Sequence, residues 1–456
     1  MLPGETLLEI FDWHLIDSYS DGFIDDSGTW DEEVVEAWQT LVHVCQKWRN
    51  IVFGSPHLLN LQLVCTGKKP VRKMLDLWPP LPIVISNVRK TMSEDNIVAA
   101  LTHNVRVRGI VLWEVPSSLW EKVLGAMQEP FPALTRLGLY TTDESTVSDS
   151  FLGGSAPNLQ YLKLSRVPFP GLPKLLSSAT HLCTLHIHKI PHSGYFSPEA
   201  MATALSVLTR LEEFLLEFES PRSCPGRGRR RPPPPTRPLL PALTRFDFKG
   251  VSEYLEDLVS RIDAPLLDRF EIQFYPQLIF HTPQLAQFIG RTPNLPARDE
   301  GHLIFSHFRA NFALPRYDEG LDLKIFCRQL DWQLSMLAQV CSSSLPLILS
   351  LEHLYIRESM YVPPSWPDDI ENVQWLELLR PFTTVKALYL SQGITPQVAP
   401  ALQELVGERA TEVLPALQSL FLENLPLSGP VQKAVDTIVA ARQLSGHPIA
   451  ISRWDK

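Results

Sequence analysis

The feature that most constrains this chain is a short apolar pattern, L-x-x-L-x-L, that returns nine times, first at Leu134-Leu137-Leu139 and last at Leu417-Leu420-Leu422. At that spacing the last two apolar residues alternate on a strand and turn inward, yet so short a strand cannot bury them alone. The first six occurrences start 25, 23, 29, 32 and 24 residues apart, and the last two steps are 34 and 32. Each step leaves room for one strand and one helix, and units of this size are stable only when stacked on a shared core. The 84 residues between Leu267 and Leu351 have space for about three more units, with weak strands at Leu303–Phe305 and Leu321–Ile325.

Helix starts are written between the strands. Ser197-Pro198, Thr282-Pro283 and Thr395-Pro396 each pair a hydroxyl able to accept a free backbone N–H with a proline at the first helical position, where its missing donor costs nothing. The forty prolines lie beside periodic apolar segments, which suits many short elements joined by tight corners. The expected unit is therefore strand, turn, helix, turn. Stacked, it gives an irregular α/β solenoid over residues 65–456, a horseshoe with parallel strands on the concave side. The unit resembles the leucine-rich repeat, although the Asn or Cys that ladders the turn after the strand is mostly missing, Asn424 being an exception.

Residues 1–64 read differently. Leu7, Leu8, Phe11 and Leu15 recur on one helical face behind Pro3, and Trp38, Leu41, Cys45 and Trp48, widened by Val44 and Ile51, form a second stripe. The string Leu2-Pro3-x-Glu5-x-Leu7-Leu8-x-Ile10-Phe11, then Leu41-x-x-Val44-Cys45-x-x-Trp48-Arg49-x-Ile51, then Ser55-Pro56-x-Leu58 and Leu61-x-Leu63, resembles the F-box of large fungal protein families. That resemblance implies a short helical module whose Leu2, Pro3, Leu7, Leu8, Phe11, Val44, Cys45 and Trp48 divide between its own core and a surface that receives a Skp-type adaptor, and through it a cullin–RING ubiquitin ligase. The chain would then be a substrate receptor; the alternative is a repeat scaffold that keeps a degenerate module as an end cap. The usual motif has a short connection between its helices, whereas here residues 16–37 intervene with eight acids and no base. Such a segment reads as a solvated insertion, or as a contact for a basic surface.

The formal net charge of −9 resides in this head, where Lys47 and Arg49 face eleven acids. A neutral body gives no electrostatic footprint for nucleic acid. No apolar run reaches the roughly 18 residues of a membrane span, the acids Glu5, Glu9 and Asp12 do not suit a signal or transit peptide, and six well-separated cysteines read as free thiols. Cytosol or nucleus is expected, with a chain that is monomeric outside its complex. Residues 219–241, with six arginines and the run Pro232 to Pro235, cannot pack and read as a disordered insertion between two repeats.

Strand alternation sends the residues flanking the inward leucines to the concave face. That selects Arg136, Tyr140, Tyr161, Lys163, His186, His188, Arg245, Asp247, Arg269, Tyr355, Arg357, Tyr389 and Phe421 as target-binding candidates, a set rich in aromatic rings and Arg, as protein-binding patches are. His186 and His188 share a strand face, but Cys183 belongs to another and no third ligand is near in sequence. No metal or cofactor is expected. Phosphate loops, the H-E-x-x-H helix and the G-x-S-x-G elbow are all missing from the sequence, so the expectation is a non-catalytic protein.

Overall fold

The computed structural model describes residues 3–19, 38–56, 59, 61–65, 70–87, 94–223, 236–295, 298–314, 320–342, 346–366, 370–423 and 429–454. Leu2, most of the acidic insertion (20–37), residues 224–235 of the Arg/Pro-rich insertion and Asn424 lie outside them. Two compact units divide the chain, Met1–Leu211 and Glu212–Lys456.

The first unit opens with helices Gly4–Tyr19, Trp38–Val42 and Gln46–Gly54. Trp38 anchors this head, fully buried, with its indole N–H donating to the Gln62 carbonyl at 3.0 Å and its ring 5.1 Å from that of Trp78. Six strands follow: β1 Leu63–Cys65, β2 Ile83–Ser86, β3 Val107–Val115, β4 Arg136–Thr141, β5 Tyr161–Ser165 and β6 Thr184–Ile190. Each pairs with the next in parallel. β1 to β3 precede the first leucine triplet. Their sequences carry the same spacing with other apolar residues, as in Val107-x-x-Ile110-x-Leu112.

The second unit holds β7 Glu213–Phe218, β8 Arg245–Gly250, β9 Arg269–Phe274, β10 Glu300–Ser306, β11 Arg309–Ala313, β12 Gly320–Phe326, β13 His353–Glu358, β14 Ala387–Leu390, β15 Ser419–Leu422 and β16 Ala450–Arg453. β7 pairs with β8 in register, so the Arg/Pro-rich segment joins two adjacent strands. Strands stand where Leu303–Phe305 and Leu321–Ile325 predict them. They do not, however, belong to three ordinary parallel repeats: the order runs β9-β12-β11-β10-β13, and β11 is antiparallel to both neighbours. The reason is the turn. Only His307 and Phe308 separate β10 from β11, and a two-residue connection can join only antiparallel strands. Gln333, buried on helix Leu330–Ser342, holds the inserted hairpin by donating to the Ser306 carbonyl at 3.0 Å and the Cys327 carbonyl at 2.7 Å.

Leucine, isoleucine and phenylalanine at the triplet positions are buried throughout, stacked strand on strand; Phe214, Phe246 and Phe270 lie 4.9 and 5.1 Å apart. Of the three expected helix starts, Ser197 caps as predicted, its hydroxyl accepting from Ala200 N at 3.2 Å. The other two differ. At helix Pro283–Gly290 the capping acceptor is Glu256 of the preceding helix, whose carboxylate takes Gln284 N at 3.0 Å and Leu285 N at 2.7 Å, while the Thr282 hydroxyl is buried without a partner among the described residues. Helix Thr395–Gln403 starts one residue early, capped at Ile394, and the Thr395 hydroxyl donates backward to the Ser391 carbonyl.

Candidate interaction surfaces

In the head, Leu7 and Phe11 turn into the core, where Phe11 packs on Trp48 with ring centroids 4.7 Å apart. Leu8 and Trp48 are half-buried, whereas Pro3, Val44 and Cys45 are exposed. The expected adaptor-binding set therefore divides into a core part and a surface part. The sequence reading missed the largest surface element: Trp13 is 69% exposed, on the same helix flank as exposed Ile10, and Val44 is 59% exposed. An apolar residue three positions after Ile10 was the available signal.

In each unit one face of the strands carries the buried apolar residues and the opposite, open face carries the alternating positions. All the predicted target-binding residues lie on the open face. In the first unit Trp113 stacks on Tyr140 at 5.6 Å, with Lys163 Nζ 5.5 Å from the Trp113 ring centre. Arg136 lies under the Tyr161 ring at 3.8 Å and is only 5% exposed, so its guanidinium braces a neighbour. His186 and His188 are 6.0 Å apart and steeply inclined; among the described residues no group of three His, Cys, Asp or Glu is placed to hold a metal.

In the second unit the residue between the last two apolar positions of each triplet forms one row across the sheet. In register from β8 onward, next to Leu215 of β7, the row reads Asp247, Glu271, Asp322, Ala313, His302, Tyr355, Tyr389, Phe421 and Ser452. Its first three members are acids on adjacent strands, an arrangement that repels unless compensated. Arg245 pairs with Asp247 at 2.6 Å, and Lys324 lies 2.7 Å from Glu271 and 2.9 Å from Asp322. Arg269 adds a looser contact to Glu271 at 3.9 Å. Burial pushes the Glu271 carboxyl up, but the Lys324 hydrogen bond and charge outweigh it and hold it below the usual range. Asp247, 8% exposed, and the two arginines thus serve the sheet's own charge balance.

The rest of the row is aromatic. Strands about 4.8 Å apart bring residues of equal motif position into ring contact: His302 to Tyr355 at 4.6 Å, Tyr355 to Tyr389 at 4.1 Å, and Tyr389 to Phe421 at 4.4 Å, with planes within 14°. Trp454 meets Tyr355 and Tyr389 edgewise, 5.7 Å from each. Burial, aided by the nearby Arg357 charge, pushes His302 down to about 4, so it is neutral at pH 7. Arg357 itself has no ion-pair partner among the described residues. His302, Lys324 and Trp454 were not picked out from sequence, because each lies outside a leucine triplet.

No family model matches the chain, and no curated protein matches it. Among solved structures, the leucine-rich repeat-containing protein LegL7 from Legionella pneumophila is similar, with 11% identity over 86% of this chain and 99% of that one and a TM-score of 0.28. So low a score adds nothing to what the strand register shows, an α/β array of stacked strand-and-helix units.

Proposed function

We propose that this chain is a non-catalytic protein receptor: the head recruits a Skp-type adaptor of a cullin–RING ubiquitin ligase, and the open strand face holds a target protein. The observation that carries the first part is the exposure of Ile10 and Trp13 on one helix flank and of Val44 further along the chain, around buried Phe11 and Trp38, in the segment whose sequence resembles an F-box. Large apolar groups left uncovered in this way mark interaction surfaces. For the second part, support comes from the row His302, Tyr355, Tyr389 and Phe421 with Arg357 at its side, the ring and guanidinium chemistry that dominates protein interfaces. No nucleic acid, cofactor or metal enters this reading. Among the described residues no helix is long and apolar enough to cross a membrane.

Affinity purification with mass spectrometry tests it, comparing the full chain with a Trp13→Ser/Val44→Ser double variant and a Tyr389→Ala variant. Adaptor and cullin should disappear from the first variant while other partners persist, and Tyr389→Ala should do the reverse. Retention of partners without any adaptor in the unaltered chain would favour a scaffold with a degenerate end cap.

A further inference from the structure

The hairpin insertion leaves an apolar rim on one edge of the second unit. β9, β12, β10 and β13 are parallel, and the segments leaving their carboxyl ends carry Leu278, Ile279, Phe308, Trp332, Met360 and Tyr361, all exposed, Tyr361 by 92%. These segments are tied together. Phe280 N donates to Gln339 Oε1 at 2.9 Å, Cys327 N to the Phe308 carbonyl at 3.0 Å, and His307 N to the Val362 carbonyl at 3.3 Å. Apolar residues exposed on adjoining segments in this way are not needed by the fold, whose core lies beneath the strands.

Within the rim is a cavity of about 250 Å³, between Leu278, the first turns of helix Leu330–Ser342 and Gln374 of helix Asn372–Leu379. Drug-sized ligands occupy sites of roughly 300–1,000 Å³, so this one has room for a single side chain. Leu278, Trp332 and Met336 give it apolar walls, and among the described residues Asp331 is the one charged residue lining it. Asp331 has no ion-pair partner among the described residues, and neither does exposed Arg328 three positions before it. Gln374 Oε1 has no donor among the described residues, and Gln339 Oε1 is already taken by Phe280 N. The cavity therefore offers a carboxylate and an indole ring to a guest and few free donors.

We propose that this cavity receives a lysine or arginine side chain from a partner protein, in a segment whose flanking apolar residues cover the rim. A long basic side chain lays its methylene stem along Leu278 and Met336, brings its cation to Asp331, and meets the Trp332 ring, an arrangement that attracts cations. A free small cation would fill the cavity but leave the rim uncovered; the rim is what requires a polypeptide. This proposal rests on neither the adaptor nor the aromatic row.

The test measures binding of the full chain to three fluorescein-labelled decapeptide pools, otherwise random, with central Leu-Arg-Phe, Leu-Glu-Phe or Leu-Met-Phe, by anisotropy. The Arg pool should bind about tenfold tighter than the other two, the scale of one charge-assisted contact. Asp331→Asn, a near-isosteric surface change, should erase that preference while leaving the Met pool unchanged; Trp332→Ala should weaken the Arg and Met pools together. Equal binding of the three pools, binding of none, or an Arg preference that survives Asp331→Asn overturns the proposal. So does concentration-dependent self-association abolished by Tyr361→Ser, which would make the rim an interface between two copies of this chain.

Discussion

Tyr389 sits in the middle of the aromatic row, stacked on Tyr355 on one side and Phe421 on the other. Each stacked pair contributes about 0.5–1.5 kcal/mol beyond area burial, so Tyr389→Ala should destabilise the protein by about 1–3 kcal/mol, read from denaturant midpoints. Tyr389→Phe should cost much less, because the rings remain. His302 provides a second check. Its folded value of about 4 lies below the ordinary 6.5, so an unfolded chain takes up its proton first as pH falls. The stability it confers is complete above about pH 6.5 and is lost progressively toward pH 4. Its ring resonances in NMR should titrate near pH 4; a midpoint near 6.5 would mean an accessible ring and an open row. At this scale the sequence was legible wherever a leucine triplet fixed the strand phase. Tyr355, Tyr389 and Phe421 were found by position alone, while Trp113 and Trp454 were missed because their strands are written in Val and Ile or in a short terminal segment.

At the scale of elements, the helix starts show what a local pattern can and cannot tell. Ser197-Pro198 behaves as read, since its hydroxyl points at its own helix. Thr282-Pro283 has the same letters, but Glu256 reaches across from the previous unit and takes the amides first. Glu256→Ala should therefore cost about 1–2 kcal/mol, the worth of a lost N-cap, whereas Thr282→Val should be neutral or stabilising, because a buried hydroxyl without a partner is removed. Thermal melts of both variants decide this; a costly Thr282→Val would contradict it. The reversed hairpin was invisible for a related reason. Alternating burial along β10, β11 and β12 says which residues face inward, not which way the strand runs, and the deciding feature is the length of a two-residue turn.

For the whole molecule, the charge distribution separates roles. The acids of the head carry the net charge, while on the sheet of the second unit Asp247, Glu271 and Asp322 are balanced by Arg245 and Lys324. Because Glu271 is held below the usual carboxylate range, its contribution to stability is present above that range and fades as pH falls through the depressed value. Glu271→Gln should lower stability at pH 7 and flatten the loss between pH 5 and pH 3, measured by urea unfolding across that window. A variant whose acid-side slope matches the unaltered chain would remove Glu271 from the account.

The central claim is that apolar groups left uncovered on the head recruit a second polypeptide. Isothermal titration of the full chain with a purified Skp-type adaptor measures this directly. The expected result is a one-to-one complex at or below roughly micromolar Kd, with the negative heat-capacity change of apolar burial, lost in Ile10→Ser/Trp13→Ser with the circular dichroism spectrum unchanged. Absence of heat at tens of micromolar adaptor, or a complex indifferent to those substitutions, would contradict it.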